Sequence, residues 1–134
     1  MDRAILKAKE LGARAIPLNV SAPFHSPLMA PAAEEMREAL AGAAILAPRA
    51  PLVTNVTARP TLDPEQIRAL LVEQITGRVR WRESVLTFRH LGVGTTVECG
   101  GGKVLTGMVK RTDRELETVS LDSPADIETF AKTL

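Results

Sequence analysis

An α/β fold built on a mainly parallel sheet is what this 134-residue sequence predicts, and three observations carry that expectation. Apolar residues recur along the chain at helical spacing and at alternating spacing in turn. The helical and extended segments interleave instead of separating into an α half and a β half, which is the pattern of helical crossovers between strands. At 45% hydrophobic residues the chain has apolar side chains enough for one core, and it is too short for two ordinary domains.

The elements follow in order. Ile5, Ala8 and Leu11 share one helical face and Gly12 follows as a stop, so Asp2 to Leu11 reads as a helix. In Arg14 to Val20 the apolar Ile16, Leu18 and Val20 alternate, which predicts a strand, with Pro17 removing one donor and pointing to an edge or an end. The loop Ser21-Ala22-Pro23-Phe24-His25 leads to Ser26-Pro27, a cap and first-turn pair, and a helix is expected from there to Leu40, with Pro31 costing it one early hydrogen bond.

Leu52 to Val56, set among Pro48, Pro51 and Pro60, reads as a short strand, and Asp63-Pro64-Glu65-Gln66 has the form of a capping box. Behind it Ile67, Leu70, Leu71 and Ile75 form the stripe of a helix from Pro64 to Ile75, ended by Thr76-Gly77. Arg82 to Leu91 is expected to be a helix burying Val85 and Phe88, and Thr95 to Cys99 a strand. Lys103 to Arg111 follows as a helix and Glu117 to Leu121 as the last strand. Ser123-Pro124-Ala125-Asp126 then caps a final helix with Ile127, Phe130 and Leu134 inward.

Composition excludes several functions. The 17 basic and 16 acidic residues leave a formal charge of +1, too little for a nucleic-acid or anionic-membrane footprint, and 3% aromatic content without tyrosine leaves few platforms for base stacking. The opening Met1-Asp2-Arg3 lacks the apolar core of a signal peptide, and the apolar run Ala39 to Ala47 falls far short of the roughly 20 residues that span a bilayer. A lone Cys99 excludes an internal disulfide and a cysteine-rich zinc site, so no metal is expected, and the chain reads as cytoplasmic.

Two histidines are present. His90 falls in the last turn of a predicted helix, where a cation complements the terminal carbonyls, and it receives no functional assignment. His25 lies between a predicted strand and a helix N-terminus, where α/β folds place reactive groups. By position alone it is equally a loop histidine making ordinary hydrogen bonds. The run Gly100-Gly101-Gly102-Lys103 is not a phosphate loop, because Val104 stands where such a loop needs Ser or Thr and Val97 where it needs Gly; it reads as a tight strand-to-helix turn.

Ser21-Ala22-Pro23-Phe24-His25-Ser26-Pro27-Leu28-Met29 resembles the segment of malonyl-CoA:acyl carrier protein transacylases that carries their general base. Leu71-Val72-Glu73-Gln74, Val79-Arg80-Trp81 and Gly100-Gly101-Gly102-Lys103-Val104-Leu105-Thr106-Gly107 resemble further blocks of that family, in the same order and at matching separations. The resemblance covers nearly the whole chain. It implies acyl transfer from coenzyme A to the phosphopantetheine thiol of acyl carrier protein, with these thioesters as substrates and no other cofactor. It implies His25 as the catalytic histidine and the backbone carbonyl of Gln74 as the group that orients it, a position where helix-end carbonyls lack intrahelical partners.

Phe24 stands where related polyketide synthase acyltransferase domains tend to carry an aromatic with malonyl and a serine with methylmalonyl, which implies a substrate-binding role; core packing is the other reading of Phe24. The family usually has Gly-Pro-Gly where Gly100-Gly101-Gly102 stands here. The resemblance further implies a hydrolase-like parallel-sheet acyltransferase domain over residues 21–134, with residues 1–20 left as one helix and one strand of a small ferredoxin-like subdomain. Ser21, Ser26, Ser84, Ser120 and Ser123 all lack the flanking glycines of a nucleophile elbow, so the serine is expected in a missing amino-terminal half and the isolated chain is expected to be inactive.

The basic runs Arg78, Arg80, Arg82, Arg89 and Lys110, Arg111, Arg114 are either solvated helix faces or a surface for an acidic carrier protein. Other readings are a piece of a polyketide synthase acyltransferase domain, a non-catalytic fragment that binds acyl carrier protein, and a thiol enzyme pairing Cys99 with His25.

Overall fold

A computed structural model describes residues 2–17 and 19–134. Helix α1 (Asp2–Glu10) opens the chain and ends at Gly12, whose φ of 72° is the left-handed value that a helix stop uses. Residues 14–17 and 19–20 form no strand, contrary to the alternation expected over Arg14 to Val20; Leu18, the middle residue of that pattern, lies outside the described residues. A strand exists only as a member of a sheet, and among the described residues no neighbour pairs with this segment. Pro17 withholds one donor besides.

The helix expected from Ser26 begins instead as a single 3-10 turn, Pro27–Met29, and becomes α-helical as α2 (Ala30–Ala41). Ser26 does not cap it, because its hydroxyl donates backward to the Pro23 carbonyl at 2.8 Å. Pro31 sits in the first turn of α2, where a backbone N–H has no helical acceptor, so it costs no hydrogen bond there. The strand expected over Leu52 to Val56 shrinks to β1 (Leu52–Val53), which pairs antiparallel with β2 (Pro60–Thr61). The turn between them is closed by the Ala58 amide on the Thr54 carbonyl at 2.9 Å and by a 2.7 Å bond between the Thr54 and Thr57 hydroxyls.

Helix α3 (Pro64–Thr76) starts at Asp63, whose carboxylate accepts from the Glu65 amide at 2.9 Å. It packs against α2 and the 3-10 turn, burying Ile67 and Val72, while Leu71 stays 37% exposed. Arg68 ties the two helices together by donating to the Leu40 carbonyl, and to the Ala43 carbonyl at 3.1 Å, which satisfies orphan acceptors at the end of α2.

The other lobe holds the parallel sheet. Helix α4 (Trp81–His90) is followed by β3 (Thr95–Cys99), α5 (Val104–Thr112), β4 (Glu117–Leu121) and α6 (Pro124–Ala131). Strands β3 and β4 run parallel in the register Thr95 to Glu117 through Cys99 to Leu121, with α5 as the crossover. Val85 of α4, Val109 of α5 and Leu116 form its core, with Trp81 and Val93 packed around them. Phe88 is only half-buried. The capping box at Ser123 and Asp126 forms as expected, yet Ile127 on α6 is 55% exposed and Leu134, which lies beyond the end of the helix, is 93% exposed; among the described residues nothing covers those two side chains.

Exposure of this kind is general. The chain presents 10110 Å² to solvent, against about 6,800 Å² for a compact monomer of its mass. Leu6, Leu11, Ile16, Val20, Leu28 and Val104 are all more than 60% exposed. Parallel strands are ordinarily covered on both faces and flanked by further strands, whereas β3 and β4 pair only with each other among the described residues.

The turn from β3 into α5 rests on Gly100 and Gly102, at φ 127° and 115°, values closed to side chains. Glu98 on β3 then caps α5, accepting from the Leu105 amide at 3.0 Å and the Thr106 amide at 2.7 Å. The Thr106 hydrogen bond above all holds the Glu98 carboxyl below the usual carboxylate range. Its stabilising contribution is therefore complete above about pH 4.3, the pKa of an unfolded glutamate, and is lost as pH falls through the lower folded value. Glu98→Gln is expected to flatten the loss of stability below pH 4, read as the urea midpoint against pH. An unchanged acid limb would contradict the cap.

Candidate active site

His25 stands in a left-handed backbone conformation, φ 58°, which costs a non-glycine residue about 1 to 2 kcal/mol. The Ser26 hydroxyl on the Pro23 carbonyl spans this bend, and the Met29 amide on the Ser26 carbonyl, at 3.0 Å, closes the turn behind it. The bend lies beside the last turn of α3, and His25 Nδ1 is 2.7 Å from the backbone carbonyl oxygen of Gln74. A carbonyl only accepts, so Nδ1 carries the proton in this contact and the neutral ring keeps its lone pair on Nε2.

The acceptor is held as firmly as the donor. At the end of α3 the Gly77 amide bonds the Glu73 carbonyl at 2.9 Å, and a Cβ added at Gly77 would come within 3.0 Å of that carbonyl oxygen. Asn55, in the turn after β1, donates from its side-chain amide to Gln74 Oε1 at 3.3 Å and accepts the Arg80 amide on its own carbonyl at 2.8 Å. The Thr87 hydroxyl of α4 donates to the Ala58 carbonyl at 2.8 Å in the same turn. One turn thus joins the end of α3 to α4. Asn55 was not singled out in the sequence; its partners are 19 and 25 residues away, and no local pattern marks them.

Phe24 and His25 line a groove of about 420 Å³ with Met29, Met36 and Ile75. Phe24 is 55% exposed and so is not a core residue among the described residues. Cys99 is exposed at the end of β3 and does not line this groove, which leaves the Cys99–His25 pairing without support. His90 Nδ1 lies 2.7 Å from the Leu86 carbonyl, one turn back in its own helix.

Because Asn55 holds the Gln74 side chain, Asn55→Ala is expected to loosen the end of α3. Amide exchange at Gly77 should accelerate several-fold, in line with about 1 kcal/mol for a lost hydrogen bond, while exchange in β3 and β4 stays unchanged. Equal protection at Gly77 in both proteins would remove Asn55 from the site.

No family model matches the chain. Known proteins do. Malonyl CoA-acyl carrier protein transacylase of Bacillus subtilis strain 168 is 44% identical over 128 residues, 95% of this chain and 40% of the relative. The crystal structure of acyl-carrier-protein-S-malonyltransferase from Bartonella henselae superimposes with a TM-score of 0.90 at 44% identity, over 98% of this chain and 42% of that one. A malonyl-transacylase solved in complex with its type II PKS acyl-carrier protein gives a TM-score of 0.89 at 38% identity, over 99% of this chain and 43% of that one. The chain spans about two fifths of the length of these proteins. It is homologous, along nearly all of its own length, to a part of the malonyl CoA-acyl carrier protein transacylases.

Proposed function

We propose that this chain is the carboxy-terminal part of an acyltransferase that moves malonyl from coenzyme A to acyl carrier protein in fatty acid biosynthesis, with His25 as its general base. The observation that carries the reading is the 2.7 Å contact from His25 Nδ1 to the Gln74 carbonyl, in a chain homologous to transacylases. With Nδ1–H held there, Nε2 takes the proton of a serine hydroxyl as its oxygen attacks the malonyl thioester. The carbon–sulfur bond breaks and the departing thiol receives that proton from the imidazolium. The second transfer runs the same steps in reverse, with the carrier's phosphopantetheine thiol attacking the malonyl-serine ester. The carbonyl end of α3 favours the imidazolium formed between steps.

The serine comes from outside these residues, since no serine here has the Gly-x-Ser-x-Gly surroundings of a nucleophile elbow. Its segment would also cover part of the apolar surface and add strands beside β3 and β4. In this reading residues 21–134 belong to a hydrolase-like acyltransferase domain and residues 1–20 to a small ferredoxin-like subdomain, all in the cytoplasm. Phe24 lines the groove beside His25 and fills the space that a branching methyl needs, a discrimination of about 1 to 3 kcal/mol.

Transfer of malonyl to acyl carrier protein is to be measured with the chain alone and with the chain joined to the remaining portion of its parent. The chain alone is expected to be inactive and the joined protein active. In the joined protein His25→Ala should cost about 100-fold or more, whereas Gln74→Ala, which keeps the carbonyl, should cost less than about tenfold. Phe24→Ser should raise the use of methylmalonyl relative to malonyl by about tenfold. Transfer by the isolated chain would overturn the missing serine, equal losses at His25 and Gln74 the role of the carbonyl, and an unchanged preference the role of Phe24.

A further inference from the structure

His25 keeps its left-handed backbone with few neighbours to enforce it. It is exposed, as is Phe24 before it, and residues 21–25 belong to no helix or strand. Among the described residues two hydrogen bonds fall on that stretch: the His25 ring on the Gln74 carbonyl, and the Ser26 hydroxyl on the Pro23 carbonyl at 2.8 Å. A tight turn ordinarily closes with a backbone amide three residues on, but no backbone amide among the described residues bonds the Pro23 carbonyl. The Ser26 side chain takes that place. A φ of 58° is a value that turns usually give to glycine or asparagine, and a histidine persists there only where its surroundings fix it.

The bond stands in place of a helix cap. Ser26 precedes Pro27 at the start of the 3-10 turn, at φ −136° and ψ 162°, the extended values of a cap and of a residue before proline. A serine so placed normally accepts from an amide of the first turn, and Ser26 makes no such bond. Ser123 stands before Pro124 at nearly the same angles, φ −130° and ψ 161°, and its hydroxyl accepts from the Asp126 amide at 3.3 Å. Two serines of one backbone geometry thus direct their hydroxyls oppositely, Ser123 forward into its helix and Ser26 backward across the turn at His25. The start of the helix does not account for the Ser26 hydroxyl; the histidine turn does.

We propose that Ser26 is a positioning residue of the acyl-transfer site: its hydroxyl holds the left-handed turn that sets His25 Nδ1 on the Gln74 carbonyl. Without that bond His25 relaxes toward a negative φ, its Cα–Cβ bond turns, and the ring leaves the carbonyl that fixes its tautomer. The consequence for catalysis rests on the acyl-transfer reading above, and the consequence for the ring does not.

The test compares Ser26→Ala, Ser26→Thr and Ser123→Ala. Threonine keeps the hydroxyl and suits extended backbone before a proline. Ring nitrogen shifts of the 15N-labelled chain, at a pH where the imidazole is neutral, should show the same tautomer ratio in wild type and Ser26→Thr. In Ser26→Ala the Nε2–H form should gain about fivefold relative to Nδ1–H. Because Ser26 caps nothing, Ser26→Ala should leave amide exchange in α2 within about twofold of wild type. Ser123→Ala removes a true cap and should lower the urea midpoint without moving the ring shifts. In the joined protein Ser26→Ala should lower kcat about fivefold and leave KM for malonyl-CoA within about twofold, with Ser26→Thr restoring kcat. The role of Ser26 in holding His25 is overturned if Ser26→Ala keeps the wild-type ratio or unfolds the chain, if Ser26→Thr shifts it equally, or if Ser123→Ala shifts it as much. Its role in catalysis is overturned if kcat is unchanged in Ser26→Ala while His25→Ala abolishes transfer. A joined protein that transfers no malonyl sinks the acyl-transfer reading, and the ring shifts then decide the role of Ser26 alone.

Discussion

The contact between an imidazole N–H and the last free carbonyls of a helix is the constraint on which this structure turns. A carboxylate in that place would bring its own charge and hydrogen-bonding demands. The Gln74 carbonyl brings no formal charge, and the contact satisfies an acceptor that the end of α3 leaves open. The cost is geometric: a backbone carbonyl cannot rotate to meet its partner, so the helix must end at the right residue and the histidine must be carried to it. Asp63 sets one end of α3 and Gly77 the other, and the left-handed turn at His25 delivers the ring. Arg68 fixes α2 on α3, and Asn55 fixes the end of α3 on the turn that contacts α4.

That dependence explains why the site was legible in the sequence and its supports were not. His25 and Gln74 each sit in a local pattern, a proline-bracketed loop and a capped helix, and the ordered resemblance named both. Asn55 and Glu98 act across 19 and 8 residues respectively, through contacts that have no period. Helices α3, α4 and α5 and strands β3 and β4 were legible within a residue or two because their apolar residues recur. The segment from Arg14 to Val20 has a strand's alternation without a strand's neighbours. Ile127 shows the same limit, since periodicity marks which face is apolar but not what lies against it.

The exposed surface gives the two lobes a common meaning. The Val85, Val109 and Leu116 core and the contact between α2 and α3 are where the chain buries its apolar side chains against itself. Elsewhere large apolar side chains face solvent, and a two-stranded parallel sheet has open edges among the described residues. Such a chain holds its histidine through contacts within one lobe and one connecting turn, independently of whatever covers the remainder. The contact from His25 to Gln74 lies within the chain itself, whereas turnover in the proposed reading requires a serine from outside these residues.

The most direct measurement is the tautomer of His25, read from the ring nitrogen chemical shifts of the 15N-labelled chain at a pH where the imidazole is neutral. A protonated Nδ1 with a bare Nε2 is predicted, since the Gln74 carbonyl can only accept. A protonated Nε2 with a bare Nδ1 would contradict the orienting carbonyl, and with it the assignment of His25 as a base poised through Nε2.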